Sequence, residues 1–326
     1  MGKRTYIPKF MSRAIVLLLL FFAAIPARAQ QDPVYSQYMN NLQSVNPAYV
    51  GLRGAPTLMT LYRKQWLNFT GAPTTSSFTF NLPFDSMRVS GGFDFLYDYT
   101  LPTATLGLFL NYGYQFRVTE KTRVSLGLKA GFNYLEGKLT GLDRYHIDDS
   151  YILDFGDFYR FMPNFGVGGF WYGENFYLGF AVPRLLQNPY NKAENTFTTK
   201  SREERHYFLH GAYSHPIARD IVFQPAVTTI MVAGAPITAD LDFAFHFLDQ
   251  KLTFGALYRI SDSFGGYLQF QYETLRIGFA YDLTHTRLSK YNNGTFEVMI
   301  RYDLKPRPKK IEIPDEPEFI VPILEE

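Results

Sequence analysis

Hydrophobic and polar residues alternate with a period of two through much of the chain, most clearly between Ala104 and Tyr134. Two long runs flank a short polar turn at 119–121. In each run leucines and aromatic residues occupy one face, and glycine and polar residues occupy the other, with Phe109 as the exception. This pattern predicts a β-hairpin whose strands exceed the usual five or six residues. An apolar face with aromatic ends, opposite a polar face containing glycine, is typical of a transmembrane β-barrel.

The same alternation continues along the chain and predicts about fourteen strands. An even number is expected of a single-chain bacterial outer-membrane barrel. We therefore predict an all-β fold, a transmembrane antiparallel outer-membrane β-barrel of about 14 strands formed by residues 57–304. Apart from the two strands of the hairpin, the predicted strands are 57–66, 74–84, 88–98, 161–172, 175–184, 204–215, 220–232, 237–247, 251–260, 264–273, 275–283 and 295–304.

Loop length supports the barrel independently. The three long connections all follow odd-numbered strands, and short turns follow even-numbered strands. In an outer-membrane barrel short turns face the periplasm and long loops face outward. If the N-terminus is periplasmic, every long loop lies outside and the C-terminus is periplasmic too. The long connections are 136–160, 185–203 and 284–294, and the short ones include 119–121, 173–174, 216–219 and 248–250.

Composition restricts the class of protein. Aromatic residues make up 17% of the 326 residues, which suits a barrel with aromatic girdles. The net charge of +2 gives no reason to expect a nucleic-acid partner. The chain contains no cysteine, so disulfides, thiolate metal sites and a cysteine nucleophile are excluded.

Residues 1–29 have the features of a secretory signal peptide. A basic start is followed by an apolar run from Ala14 to Ile25 and an Ala27-Arg28-Ala29 cleavage pattern. The apolar run is too short to span a bilayer as a helix. A buried N-terminal helix would not account for the basic flank and the cleavage pattern together. We expect the mature chain to begin at Gln30 and residues 30–56 to form a periplasmic arm, and the sequence leaves open whether this arm lies in the lumen or below it.

The arm has no clear period but carries motifs, and further motifs lie in the first predicted strand and at the start of the second. Their sequences are Asp32-Pro33-Val34-Tyr35-Ser36-Gln37-Tyr38-Met39, Asn46-Pro47-Ala48-Tyr49-Val50-Gly51, Tyr62-Arg63-Lys64-Gln65-Trp66 and Gly71-Ala72-Pro73-Thr74-Thr75. With these motifs the chain resembles the PorP/SprF family, outer-membrane proteins of the type IX secretion and gliding apparatus of Bacteroidetes. The specific motifs lie within residues 32–80, and the remainder is similar to the family in length and strand pattern.

The resemblance implies a role in type IX secretion, in the export or surface attachment of cargo proteins such as adhesins. The three long outward loops and the proline-rich end then suggest the hypothesis of a non-catalytic binding scaffold in the outer membrane. Implied partners are outer-membrane lipids, the C-terminal domains of secreted cargo, and the periplasmic ring of the secretion system with its lipoprotein. The alternative is a passive channel for small solutes. Candidate partner-binding positions are the motif residues Asp32, Pro33, Tyr35, Ser36, Gln37, Tyr38, Asn46, Pro47, Ala48, Tyr49, Gly51, Arg63, Gln65, Trp66, Gly71 and Pro73.

Charges of both signs fall on the polar faces of the strands and are expected to point into the lumen. An open porin would use such charges to set an electric field across a wet channel, and a plugged barrel would pair them as filler. The sequence leaves both open. The residues are Arg123, Lys129, Asp240, Asp242, Arg259, Arg276, Asp282, Glu297, Arg301 and Asp303.

The sequence predicts no catalytic, metal or cofactor site, and only weak surface cation binding by one acidic loop is left open. His206 and His210 share one face of a strand, about 13 Å apart, which is too far to share a metal ion. Ser36, Ser214 and Ser261 lie in no nucleophile motif, and no metalloprotease or phosphate-binding motif is present. One loop is acidic but lacks the spacing of a calcium loop. Its residues are Asp143, His146, Asp148, Asp149, Asp154 and Asp157.

Residues 305–326 form a proline-rich tail with a basic half followed by an acidic half. The tail follows the last predicted strand and would lie in the periplasm. A disordered tail is one interpretation. An extended polyproline-type ligand for a periplasmic partner is the other.

Overall fold

Antiparallel strands dominate the computed structural model, which describes residues 34–84, 88–139, 157–190 and 202–304. Short helical turns cover Tyr38–Asn40, Leu42–Val45, Pro47–Tyr49 and Arg287–Lys290. The strands are β1 (Thr57–Lys64), β2 (Thr74–Pro83), β3 (Val89–Thr100), β4 (Thr103–Arg117), β5 (Arg123–Gly137), β6 (Phe158–Tyr172), β7 (Phe176–Val182), β8 (His206–Tyr213), β9 (His215–Ala218), β10 (Ile221–Val232), β11 (Thr238–Phe247), β12 (Leu252–Arg259), β13 (Ser263–Tyr272), β14 (Leu275–Thr284) and β15 (Thr295–Asp303).

The sheet closes on itself, because β1 pairs with both β2 and β15. Strands β8 and β9 both pair with β10, so they are two parts of one wall strand interrupted at Ser214. The fifteen segments therefore make a closed antiparallel barrel of fourteen wall strands. The predicted fold class is confirmed, because pairing of β10 with β11 and of β15 with β1 joins the described strands into one closed ring.

One predicted turn is wrong. Residues 216–219 were expected to form a short turn, but the wall strand continues through β9 and turns at 219–220. Pro216 lacks an N–H and so resembles a turn residue in the sequence. In the structure it lies opposite Val222, next to a shift in register between Ile221 and Val222. Proline is tolerated within a sheet at such an irregularity.

The period of two separates an apolar outer surface from a polar inner one. Leu110 and Leu128 are 66% and 58% exposed on the outside, as lipid-facing residues would be. Asn111 and Lys129 point inward and are buried. Phe109, the exception in the hairpin pattern, also faces inward, and the Lys129 ammonium lies 4.9 Å from its ring centroid. Within the described residues, no helix is long and apolar enough to cross a membrane.

The two ends of the barrel differ in the length of their connections. One end, here the short-turn end, carries the connections 84–88, 118–122, 173–175, 219–220, 248–251 and 273–274. The opposite end, here the long-loop end, carries 138–157, 183–205 and 285–294 together with the shorter connections. Loop length is therefore sorted by end, as the sequence predicted.

Candidate functional site

The chain segment before β1 lies inside the barrel. We call residues 34–56 the lumen segment. Its contacts reach inward-facing groups of β1–β6, β8 and β12–β15, so it touches wall strands on opposite sides of the lumen. Leu42, Ala48 and Val50 are at most 1% exposed. The prediction of a periplasmic arm is therefore corrected for residues 34–56, because their apolar side chains are buried within the barrel.

The lumen segment runs along the barrel from one half to the other. Ser36 contacts Asp282 and Glu297, which belong to the long-loop half of β14 and β15. Gly51 donates its amide to Asn81 at 3.0 Å, at the short-turn end of β2. The described chain thus starts toward the long-loop end, descends through the lumen and enters β1 from the short-turn end.

A buried ionic cluster holds the upper part of the lumen segment. The Arg63 guanidinium lies 3.1 Å from both Asp282 and Glu297, and all three side chains are at most 2% exposed. Glu297 also accepts the backbone amides of Ser36 and Gln37 at 2.8 and 3.0 Å. The Ser36 hydroxyl donates to Asp282 and accepts from Arg63. Charge-assisted bonds of this kind are about twice as strong as neutral ones.

A second ion pair lies beside the first. Arg259 pairs with Asp240 through two bonds of 2.8 and 2.9 Å, and the same guanidinium donates to the Tyr35 carbonyl at 3.0 Å. Bidentate pairing fixes the position of the guanidinium as well as its charge. The wall thus provides a fixed donor for the backbone of the lumen segment.

The middle of the lumen segment is held by β3 and β5. Asp94 pairs with Lys129 at 2.8 Å and accepts the Gln43 side-chain amide at 2.8 Å. Lys129 also donates to the Ser44 carbonyl at 2.8 Å. The Asn111 side-chain amide also donates to Asp94 at 2.8 Å. Each buried charge here has an opposite charge or amide as partner, which such groups require away from water.

The lower part of the lumen segment is held where its backbone closely approaches the backbone of the wall. A Cβ atom on Gly127 would lie 2.1 Å from the Ala48 nitrogen, so only glycine fits at that wall position. Asn46 accepts the Ala48 amide at 3.0 Å and donates to the Gly169 carbonyl at 3.2 Å. Its amide also lies 3.2 Å from the His210 ring nitrogen. Asn46 therefore caps the turn at Pro47–Tyr49 and ties it to the wall.

Apolar packing supplements these polar contacts. Tyr35 and Tyr38 lie edge to face, with ring centroids 5.5 Å apart. They pack with the inward-facing wall residues Met59, Phe208 and Met299, all of them buried. Full burial of one such side chain stabilises a fold by about 1.5–3 kcal/mol. The lumen segment therefore forms an apolar core with the barrel as well as an ionic one.

In the long-loop half, residues of the connection between β7 and β8 also turn inward; we call their contacts around Glu203 the inward fold. Glu203, 4% exposed, accepts the side-chain amides of Asn133 at 2.9 Å and Asn164 at 3.0 Å, both from inner faces of the wall. Asn188 donates to it at 2.9 Å, and Arg184 lies 3.5 Å away. Asn188 and Glu203, near the two ends of the connection between β7 and β8, are thus held against β5 and β6.

A small cavity remains between the lumen segment and the wall. Its volume is about 10 Å³, which is close to the minimum for one water molecule. It does not admit a larger solute. Its lining residues are Ser36, Tyr38, Met39, Ala226, Thr228, Asp240, Asp242 and Leu257.

The motif residues fall into two groups. The first lies in the lumen: Tyr35, Ser36, Gln37, Tyr38, Asn46, Pro47, Ala48, Tyr49, Gly51 and Arg63. The second forms the β1–β2 connection at the long-loop end. There the Gln65 amide donates to Pro73 at 3.0 Å, Trp66 donates to the Thr295 hydroxyl at 3.2 Å, and Gly71 adopts a φ of +77°. Asp32 and Pro33 lie outside the described residues.

The ten charges expected in the lumen are buried or half-buried in the structure. Arg123 is half-buried at the start of β5. The other nine are buried: Lys129, Asp240, Asp242, Arg259, Arg276, Asp282, Glu297, Arg301 and Asp303. Asp242 accepts the Tyr267 hydroxyl at 2.9 Å, and Arg276 donates to Gln269 at 3.1 Å and Gln271 at 2.9 Å.

Sequence reasoning missed two buried charges that hold the lumen segment. Asp94 shares the polar face of β3 with Gly92, so the period of two was a signal for it. Arg53 donates to the Asn40 carbonyl at 2.9 Å and lies over the Tyr49 ring. It precedes the first strand, where no period was available.

The remaining sequence candidates form no reactive site in the described ranges. His206 and His210 are both buried on the inner face, and His206 lies 3.0 Å from the Glu204 carbonyl. Within those ranges, no three His, Asp or Glu side chains are grouped to hold a metal ion. The predicted signal peptide, the tail at 305–326 and the acidic loop up to Asp154 lie outside the described residues.

Several solved structures of outer-membrane proteins are similar to this chain at low sequence identity. The outer membrane protein Omp33 of Acinetobacter baumannii is 9% identical, with a TM-score of 0.45, 76% of this chain covered and 97% of that one. A Pseudomonas aeruginosa FadL homologue is 12% identical, with a TM-score of 0.42 and coverages of 80% and 93%. The NanC porin is 10% identical, with a TM-score of 0.39 and coverages of 77% and 100%.

No curated protein matches the sequence. A family model does match it, over residues 27–302, which is most of the 326 residues. That family is described as the type IX secretion system membrane protein PorP/SprF. The chain therefore belongs to the PorP/SprF family of type IX secretion membrane proteins.

Proposed function

We propose that this protein is a closed, non-catalytic scaffold in the outer membrane that holds partner chains for the export or surface attachment of cargo. The observation that carries the proposal is the lumen segment, residues 34–56, which spans the lumen and is fastened by buried charges to several wall strands. A barrel filled in this way offers partners its two ends and gives solutes no wide passage.

The strength of these contacts argues against a passive solute channel. An open channel would need Glu297 to release two backbone amides and Arg259 to release the Tyr35 carbonyl. Each hydrogen bond to a charged group contributes about 1.5–3 kcal/mol. Several such contacts would have to break together with the apolar packing of Tyr35 and Tyr38. Spontaneous opening should therefore be rare.

The sorting of loop lengths supports an orientation. Short turns of outer-membrane barrels face the periplasm, so the short-turn end would be periplasmic and the long loops would face outward. Leu304 donates its amide to Pro56 at 2.8 Å at this same end. The chain after Leu304 would then leave the barrel on the periplasmic side, where the proline-rich residues 305–326 could contact the periplasmic ring and its lipoprotein.

The two ends would then have different partners. The periplasmic end would bind components of the secretion machinery through the tail. The long-loop end would hold the C-terminal domain of a cargo protein. Its ordered motif residues Gln65, Trp66, Gly71 and Pro73 are available for that role.

The test is affinity purification of the tagged full chain from native outer membrane in mild detergent, followed by mass spectrometry. A matched variant ending at Leu304 separates the two ends. The proposal expects secreted cargo with both proteins and periplasmic ring components only with the full chain. Recovery of the barrel alone, together with steady conductance of the same sample in a planar bilayer, would overturn the scaffold and favour the solute channel.

A further inference from the structure

The connection between β14 and β15 displays exposed positive charge at the rim of the barrel. We call residues 285–291 the cationic loop. Its Arg287 and Lys290 side chains are exposed, and neither forms an ion pair with a described residue. His285 is also exposed, and Tyr291 is 68% exposed. A cluster of this kind is suited to an anionic partner.

The cationic loop lies at the level of an aromatic belt on the outer surface. Tyr258 and Tyr281 point outward near the long-loop ends of β12 and β14. The His285 ring stacks on Tyr258 with centroids 6.0 Å apart and an interplanar angle of 15°. The Tyr281 hydroxyl donates to the Asn293 carbonyl just after the loop. Belts of tyrosine mark the boundary between the lipid chains and the headgroups.

The shape of the cationic loop is fixed by hydrogen bonds. Asn292, 8% exposed, donates to the Leu288 carbonyl at 2.7 Å and accepts the Gly294 amide at 2.8 Å. The His285 amide donates to the Asp262 carbonyl at 3.0 Å. Because the backbone is held at both ends, Arg287 and Lys290 stay close to the headgroup level.

Neighbouring acidic groups do not cancel this charge. The Asp262 carboxylate at the same rim lies 3.6 Å from Arg259, whose charge Asp240 already pairs. Asp262 therefore offsets one positive charge, and the two cations Arg287 and Lys290 leave the rim net positive. At the short-turn end of the same strands, the connections carry Asp249, Lys251 and Glu273, which are mixed in sign. The excess of positive charge in this part of the wall is therefore confined to the long-loop rim.

We propose that the cationic loop binds the phosphate of a lipid headgroup in the leaflet at the long-loop end of the barrel. Arg287 would contact phosphate oxygens through its planar guanidinium, and Lys290 would add a second, point-like charge. Tyr281 and Tyr258 would pack against the adjoining part of the same lipid. The position beside the aromatic belt favours a lipid over an acidic peptide. The inference requires only membrane insertion and is independent of the cargo role.

The experiment measures lipid retention by the full chain in detergent, using native mass spectrometry. The probes are a diphosphorylated glycolipid, the same lipid with its phosphates removed, and an acidic peptide. Each cation near a phosphate-bearing surface should change affinity about fivefold. The Arg287→Gln/Lys290→Gln variant should therefore bind the phosphorylated lipid about 25-fold more weakly than the unaltered protein. Binding of the dephosphorylated lipid should not change.

The matched control is Lys121→Gln/Lys251→Gln, which removes two exposed positive charges from the short-turn end. It should leave retention of the phosphorylated lipid unchanged. Electrophoretic mobility of unheated samples verifies that the unaltered protein and both double variants are folded. Equal lipid retention by the two variants would overturn the proposal. The proposal would also be overturned if the Arg287→Gln/Lys290→Gln variant lost binding only to the acidic peptide, since that result would assign the loop to a protein partner.

Discussion

Ala48 of the lumen segment packs directly on Gly127 of β5, where an added Cβ would lie 2.1 Å from the Ala48 nitrogen and 2.3 Å from the Pro47 carbonyl carbon. The wall and the segment are thus complementary at the level of the backbone. The contact joins residues nearly eighty positions apart in the sequence, and it makes the presence of the segment in the lumen directly testable.

Gly127→Ala should destabilise the protein because its methyl group and the Ala48 backbone cannot occupy the same space. Overpacking of a filled interior costs about 1–3 kcal/mol. Gly169→Ala is the matched control, because a Cβ there meets nothing within 4 Å. The free energy of unfolding of both variants is measured by urea denaturation in detergent. Equal values for the two variants would show that the lumen segment does not contact Gly127.

Arg63→Met should be more severe, because it leaves the buried carboxylates of Asp282 and Glu297 without their cation. Breaking a buried ion pair costs about 3–5 kcal/mol. Adding Asp282→Asn and Glu297→Gln to the same chain should recover part of the loss, since no uncompensated charge then remains. The measurement is again the urea midpoint.

The control for Arg63 is Lys138→Met, which breaks an exposed pair with Glu136 at 3.1 Å. Exposed pairs contribute little to stability because water and salt screen them, so this variant should unfold almost as the unaltered protein does. A loss for Arg63→Met no larger than that for Lys138→Met would mean that the ionic cluster does not stabilise the lumen segment.

Glu203→Ala should destabilise the inward fold of the long-loop half. It removes the acceptor of three amide donors, Asn133, Asn164 and Asn188, of which the first two are almost fully buried. A lost hydrogen bond costs about 1 kcal/mol, and a buried donor left unsatisfied costs more. We expect a loss of about 3 kcal/mol by urea denaturation. Glu203→Gln keeps an acceptor and should lose less, and the reverse order would contradict the assigned bonds.

The barrel wall could be predicted from the sequence because its signal is local. Alternation of apolar and polar residues is visible in any short window. The expected strand at 74–84 corresponds to β2 at Thr74–Pro83, and that at 251–260 to β12 at Leu252–Arg259. The continuation of the wall strand beyond Ser214 was missed because Pro216 resembles a turn residue, and only the pairing of β9 with β10 reveals it.

The lumen segment could not be placed because its partners are remote. Ser36 and Glu297 are separated by 261 positions and meet only when the barrel closes. The segment has no period of its own, so its motifs could be recognised in the sequence but not located in the fold. The inward charges were predictable as a set, but the pairing of Arg63 with Asp282 depends on which strands become neighbours. Closure of β1 against β15 determines those neighbours.

A disulfide between the lumen segment and the wall tests the placement most directly. A Cβ on Gly92 would lie 2.7 Å from a terminal carbon of Val50, where a cysteine sulfur would stand. Since the γ carbon is one bond of about 1.5 Å from the Val50 Cβ, the two Cβ atoms lie at most about 4.2 Å apart, within the range of about 3.5–4.5 Å for disulfides. The Val50→Cys/Gly92→Cys variant should therefore form the bond on oxidation. The chain contains no other cysteine to compete. Electrophoresis with and without reductant detects the bond through altered mobility.

The matched control pairs Val50→Cys with Gly278→Cys. Gly278 also faces the lumen, but it approaches Gln37 of the segment, toward the opposite half. This pair should remain reduced, because residue 50 lies against Gly92 and Gly113 instead. If the segment left the lumen in the membrane, neither pair would form a bond. Efficient bonding of the first pair alone would show that residue 50 lies against β3 in the folded barrel, which is the arrangement that a closed scaffold requires.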